Sequence, residues 1–155
     1  MHFQIDSTAL TDGVRLVERA VSTSSTLQIL SGIHLQVDRN KLTLTANNLE
    51  ISVQTEAECT TIAPGSAVLD GRLFSALVRK LPAGTVIFEK RDNQVIITAG
   101  TTEFTLNELI GDEFPAPPIC EQKIISLTDY ELSKLAHSTL FCVSNRSEER
   151  RVGKE

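Results

Sequence analysis

Apolar and polar positions alternate along most of the N-terminal two thirds of the chain, and twice the alternation gives way to a helical spacing. Phe3 and Ile5 alternate with polar neighbours and predict a short strand. Leu10, Val14, Val17 and Val21 then recur at helical intervals, with Ser7 or Thr8 as the predicted cap and the Ser/Thr run at 22–26 as the stop. Ile33, Leu35 and Val37 alternate again, as do Leu42 and Leu44 beyond a turn at Asp38-Arg39-Asn40. Ala46-Asn47-Asn48 reads as the next turn, with Leu49, Ile51 and Val53 opening another strand. After the Ala63-Pro64-Gly65-Ser66 turn, a short strand over 67–69 leads to Asp70, the predicted cap of a second helix. Its apolar stripe is Phe74, Leu77, Val78 and Leu81, and Pro82-Ala83-Gly84 ends it. Strands over 86–89, 94–98 and 103–109 follow, joined by turns at 91–93 and 99–100. Strands with one apolar and one polar side indicate antiparallel sheet. The fold class is α+β, two helices packed on antiparallel sheet.

The stretch from Gly111 to Pro118 breaks every period, and its prolines 115, 117 and 118 mark a domain boundary. Beyond it the pattern starts again. At an offset of 122 residues Phe3 meets Ile125, Ile5 meets Leu127 and Leu10 meets Leu132. This weak repeat predicts tandem copies of one design: a first domain over 1–117, a linker over 118–123, the opening of a second domain over 124–145, and an atypical tail over 146–155. A lone strand and helix cannot bury their apolar faces, so the second copy is expected to be truncated.

Charge changes the picture next. The chain carries a net −5, of which the last ten residues contribute +1. Electrostatic grip on nucleic acid over the whole surface is therefore excluded, and only a local basic face remains. On a helical wheel Arg15 and Arg19 fall opposite the apolar centre of the first helix, and Arg72 and Arg79 fall opposite Phe74 in the second. An ordinary solvated face gives the same pattern. Cys59, Cys120 and Cys142 are far apart and His2, His34 and His137 are scattered, so no metal or redox site is indicated. Asp112 and Glu113 are a poor acid–base couple, and His137 lies more than two helical turns from Asp129. No nucleotide-binding, nucleophile-elbow or metalloprotease motif is present, so no enzyme and no cofactor is predicted. No apolar run approaches a bilayer span and the N-terminus lacks signal-peptide character, which predicts a cytosolic protein without a membrane partner.

Several segments, taken in order, resemble the bacterial sliding clamps, the β subunits of DNA polymerase III. They are Thr26-Leu27-Gln28-Ile29-Leu30-Ser31-Gly32-Ile33, with Gln28 where proline is usual, and Leu44-Thr45-Ala46-Asn47-Asn48-Leu49-Glu50-Ile51, with Asn48 where aspartate is usual. Val78-Arg79-Lys80-Leu81-Pro82, Phe104-Thr105-Leu106 before Glu113-Phe114-Pro115, and Thr139-Leu140-Phe141-Cys142-Val143-Ser144 continue the series. The order and spacing span residues 1 to 145, and the tail departs from the pattern.

The resemblance implies a homodimeric ring of three similar domains per chain, helices inward, closed around double-stranded DNA and tethering DNA polymerase III, with the clamp loader as a further partner. It implies that Arg72 holds a DNA-contacting position and that Arg15, Arg19 and Arg79 line the hole. It places Ser24 where an arginine commonly touches DNA, a weaker donor here. It also implies that the strand carrying Phe104 and Leu106 pairs with the partner chain, although both side chains serve equally well as core. The family's peptide pocket lies between its second and third domains and is not expected here. A rival reading remains: a stand-alone α+β interaction module that binds protein through a sheet edge.

Overall fold

The first two helices each begin where a strand runs out on an aspartate. In the computed structural model, which describes residues 1–22, 27–111, 113–117 and 126–140, β1 (His2–Asp6) passes directly into α1 (Ser7–Val17). In the same way β6 (Gly65–Asp70) passes into α2 (Gly71–Val78). Asp70 caps α2 as expected, its Oδ1 accepting from Leu73 N at 2.8 Å. The cap of α1 is Asp6 and not Ser7 or Thr8. Asp6 keeps extended backbone angles, and its Oδ1 accepts from Thr8 N at 2.8 Å and Ala9 N at 3.4 Å. Ser7 is instead buried, donating its N–H to Gly84 O at 2.9 Å and accepting from Gly84 N at 3.1 Å through Oγ. It thereby ties the start of α1 to the turn after α2.

The strands form two antiparallel sheets where the sequence pattern suggested one. The first has the order β5-β1-β7-β8-β9 and the second β4-β3-β2-β6. Their members are β2 (Gly32–Asp38), β3 (Lys41–Asn47), β4 (Ser52–Glu58), β5 (Thr60–Ala63), β7 (Thr85–Arg91), β8 (Gln94–Ala99) and β9 (Thr102–Asn107). Topologically the unit is one motif used twice. The runs β1-α1-β2-β3-β4 and β6-α2-β7-β8-β9 have the same order, and each lends its first strand to the other: β1 pairs with β7, and β6 with β2. Strand β5 is the exception. Its four residues pair with β1 across an irregular register, and their weak polarity pattern conceals them from sequence reading.

Two strand boundaries move for identifiable reasons. Leu49 and Ile51 do not open β4, which starts at Ser52. The Asn47 and Asn48 side-chain oxygens accept from Leu49 N, Glu50 N and Ile51 N, taking those donors out of the ladder. Leu49 sits at φ 72° and both apolar side chains are exposed. At the other end, Glu108 and Leu109 leave β9 and cross to the second sheet, where Leu109 N donates to Val68 O at 2.8 Å. A half-buried ion pair marks this corner: Lys90 Nζ donates to Glu108 Oε1 at 2.8 Å and to Ser66 O at 3.0 Å.

The core lies between both sheets and both helices. Phe3 stacks on Phe88 with ring centroids 4.6 Å apart, and Phe74 of α2 meets the same ring edge-on at 6.2 Å. Leu10, Val14, Leu35, Leu44, Leu69 and Ile97 complete the interior. Helix α1 lies over β3 and β4, α2 over β2 and β6, and the helices touch each other. After β9 the chain returns over the outer face of the second sheet. Phe114 stacks on His34 at 5.2 Å and packs with Ile29, Leu30, Val68 and Leu109, while Asn47 Nδ2 donates to Pro115 O at 3.4 Å.

The chain divides into two units, Met1–Pro118 and Ile119–Glu155. In the second, α3 (Asp129–Leu140) begins with a capping box: Thr128 N donates to Glu131 Oε2 at 2.8 Å, and Glu131 N to Thr128 Oγ1 at 3.3 Å. Among the described residues of this unit every side chain is exposed, Leu132, Leu135 and Leu140 included. Of the strand expected before α3, Ile125 lies outside the described residues and Leu127 is in no strand; the tail 146–155, Cys120 and Cys142 also lie outside them.

Two outcomes are expected. Amides of α3 exchange with solvent much faster than those of α2 in the 155-residue chain, because all the described side chains of α3 are exposed; equal protection measured by hydrogen exchange refutes this. The second concerns His34, whose burial holds it below its ordinary value of 6.5 while Glu108 pulls the other way. Above that value both folded and unfolded chains are neutral at this site. As pH falls below it the unfolded chain takes up the proton first, so stability declines until the folded-state value is passed. His34→Gln should therefore lose less stability than the wild type between about pH 7.5 and about pH 5.5. Parallel declines in denaturant midpoint would show that His34 contributes nothing.

Candidate nucleic-acid interface

Side chains on α1 and α2 that do not enter the core are turned outward by the helical period itself. Leu10, Val14 and Val17 bury one side of α1, so Arg15, and Arg19 in the 3-10 turn Glu18–Ala20, are exposed. Phe74 and Val78 bury one side of α2, so Arg72 and Arg79 are exposed. Contact between the helices brings three of the four together, and Arg19 lines neither of the clefts between them. Arg15 and Arg79 line one cleft between α1 and α2, and Arg72 and Arg79 line the next. At the start of α2, Gly71 lets the chain that follows the 3-10 turn come close, since an added Cβ would lie within 2.9 Å of the Val21 methyls and 3.0 Å of Ser31 O.

The four guanidiniums are not equivalent. Arg79 Nη2 donates to Glu18 Oε1 at 2.5 Å and to Oε2 at 2.6 Å. Among the described residues no such carboxylate pairs with Arg15, Arg19 or Arg72. Glu18 was not singled out from the sequence, although it lies three residues from Arg15 and a spacing of i, i+3 puts two side chains on one helix face. Ser24 lies outside the described residues.

Phe104 and Leu106 both point inward from β9, half-buried against the main core. Strand β9 is also the outer strand of its sheet, so one row of its backbone groups has no partner within the described sheet. The two readings of this strand are compatible: its side chains serve the core while its backbone leaves an edge open.

The carboxylates weighed for hydrolysis do not converge. Glu131 is occupied in the α3 cap and Asp112 lies outside the described residues. Among the described residues no group of three or more His, Cys, Asp or Glu is placed to hold a metal ion. No helix among them is long and apolar enough to cross a membrane.

Comparison with known proteins agrees with this architecture. Residues 1–118 match the family described as DNA polymerase III beta subunit, N-terminal domain. The beta sliding clamp of Bacillus subtilis is 36% identical over 154 residues, covering 93% of this chain and 41% of the relative. That of Halalkalibacterium halodurans is 33% identical over 156 residues, with 94% and 41% covered. The structure of Caulobacter crescentus pol III beta superimposes with a TM-score of 0.86 at 28% identity, covering 95% of this chain and 40% of that one. The chain thus spans about 40% of the length of the relatives it matches. With a family match over most of its length, two sheets built from one motif used twice, and a fold shared with solved clamps, this chain belongs to the DNA polymerase III beta subunit family.

Proposed function

We propose that this chain is the N-terminal part of a DNA sliding clamp, a processivity factor that encircles duplex DNA and tethers the replicative polymerase. One observation carries the reading. In a chain of net charge −5, exposed arginines gather along the neighbouring helices α1 and α2, away from the core. Guanidiniums on a rigid helical face suit phosphates without reading bases, which is what sliding requires. Arg72, Arg15, Arg19 and Arg79 form the DNA-facing set, with Ser24 as an uncharged contributor. Residues 1–117 are the first clamp domain, 118–123 a linker and 124–145 the start of a second. In the full-length protein the β9 edge, with Phe104 and Leu106 behind it, takes a strand from a second copy to close a homodimeric ring. DNA polymerase III and the clamp loader are its protein partners, double-stranded DNA the partner it holds topologically and the cytoplasm its compartment. The role is topological, and no catalysis is proposed.

The acidic total predicts that this chain alone holds linear duplex weakly and without sequence preference. Fluorescence titration at several salt concentrations should show binding that falls steeply with salt. Arg72→Ala should weaken it equally on unrelated sequences and lower the salt slope by about 1. Salt-resistant or sequence-selective binding, or no effect of Arg72→Ala, would overturn the reading.

A further inference from the structure

Glu18 is an anion set into the basic face. It lines both clefts between α1 and α2, with Arg15 beside it in one and Arg72 in the other. Its charge does nothing for α1: its backbone N–H closes that helix by donating to Val14 O, but at this C-cap the helix dipole disfavours an anion. What holds it there is Arg79, whose Nη2 is engaged with both carboxylate oxygens. A carboxylate and a phosphate offer a guanidinium the same kind of acceptor pair. We propose that Glu18 occupies the place a DNA phosphate would take on Arg79, withholding that arginine and setting the strength of the grip. This rests on the DNA-facing reading of α1 and α2. Arg72, Arg15 and Arg19 then make the working contacts, while Arg79 and Glu18 form a neutral pair that adds no phosphate contact and repels none strongly. A sliding surface benefits from few strong contacts, since each one must break as the duplex advances.

The test uses the 155-residue chain and a short duplex at low ionic strength, observed by NMR at the arginine Nε–H groups. In the wild type the Arg72 resonance should move with added duplex while that of Arg79 stays still. In Glu18→Gln, which keeps size and removes charge, both should move. Affinity should then rise roughly threefold and the salt slope steepen by about 1, as one added phosphate contact requires. The double variant Glu18→Gln/Arg79→Ala should lose that gain. Movement of Arg79 alongside Arg72 in the wild type overturns the proposal without any variant. So does a Glu18→Gln chain that binds no tighter while Arg72→Ala still weakens binding. If Arg72→Ala has no effect and no arginine resonance moves in any variant, the DNA-facing reading itself falls.

Discussion

Strand exchange between the two halves of the first unit is the constraint from which the rest of the architecture follows. Strand β1 precedes α1 in sequence but hydrogen-bonds to β7, and β6 precedes α2 but hydrogen-bonds to β2. Neither half can complete its sheet alone, so the two must form together around the shared Phe3, Phe74 and Phe88 cluster. The exchange also decides where the helices go. Each leaves a strand that sits inside the opposite half's sheet, and this brings α1 and α2 into contact over one core. The first sheet ends in β5 and β9 and the second in β4 and β6.

The basic face is a by-product of that packing and not of composition. An acidic chain acquires it because the helical period sends Leu10, Val14, Phe74 and Val78 inward and the arginines outward. The guanidiniums share those helices with the carboxylates of Asp12 and Glu18, so their effect rests on placement and not on an excess of charge. Sign and arrangement are separate properties here.

Much of the fold was legible in the sequence because alternation and helical spacing are direct images of burial. Strands β2, β7 and β8 each show one buried and one more open side, β3 does so only over its first half, and Asp70 stands where a cap is needed. The failures occurred where tertiary or side-chain bonds overrode the pattern. Asp6 took the cap because Ser7 was required by Gly84, a partner 77 residues away. The Asn47 and Asn48 carboxamides captured amides that the apolar Leu49 and Ile51 appeared to promise to a strand. Strand β5 was hidden because its four residues, Thr60–Ala63, carry too little apolar–polar alternation to mark a strand. For the candidate site, exposure of the four arginines followed from the helical wheel. The Glu18–Arg79 pair did not, since it joins residues 61 apart on different helices.

The repeated motif bears on how such a face would meet a double helix. Arg15 lies nine residues beyond the Asp6 cap and Arg79 nine beyond the Asp70 cap, so the two stand at matching points of the two halves. Duplex DNA has dyads of its own perpendicular to its axis, relating its antiparallel strands. A protein surface with a matching internal dyad would treat the two strands alike and have no preferred heading. The counterpart of Glu18 in the second half is Pro82, which carries no charge. By the same count Arg72 answers to Thr8 and Arg19 to Ala83, so the two halves present unequal faces, and a duplex lying across them would meet one heading that differs from the other.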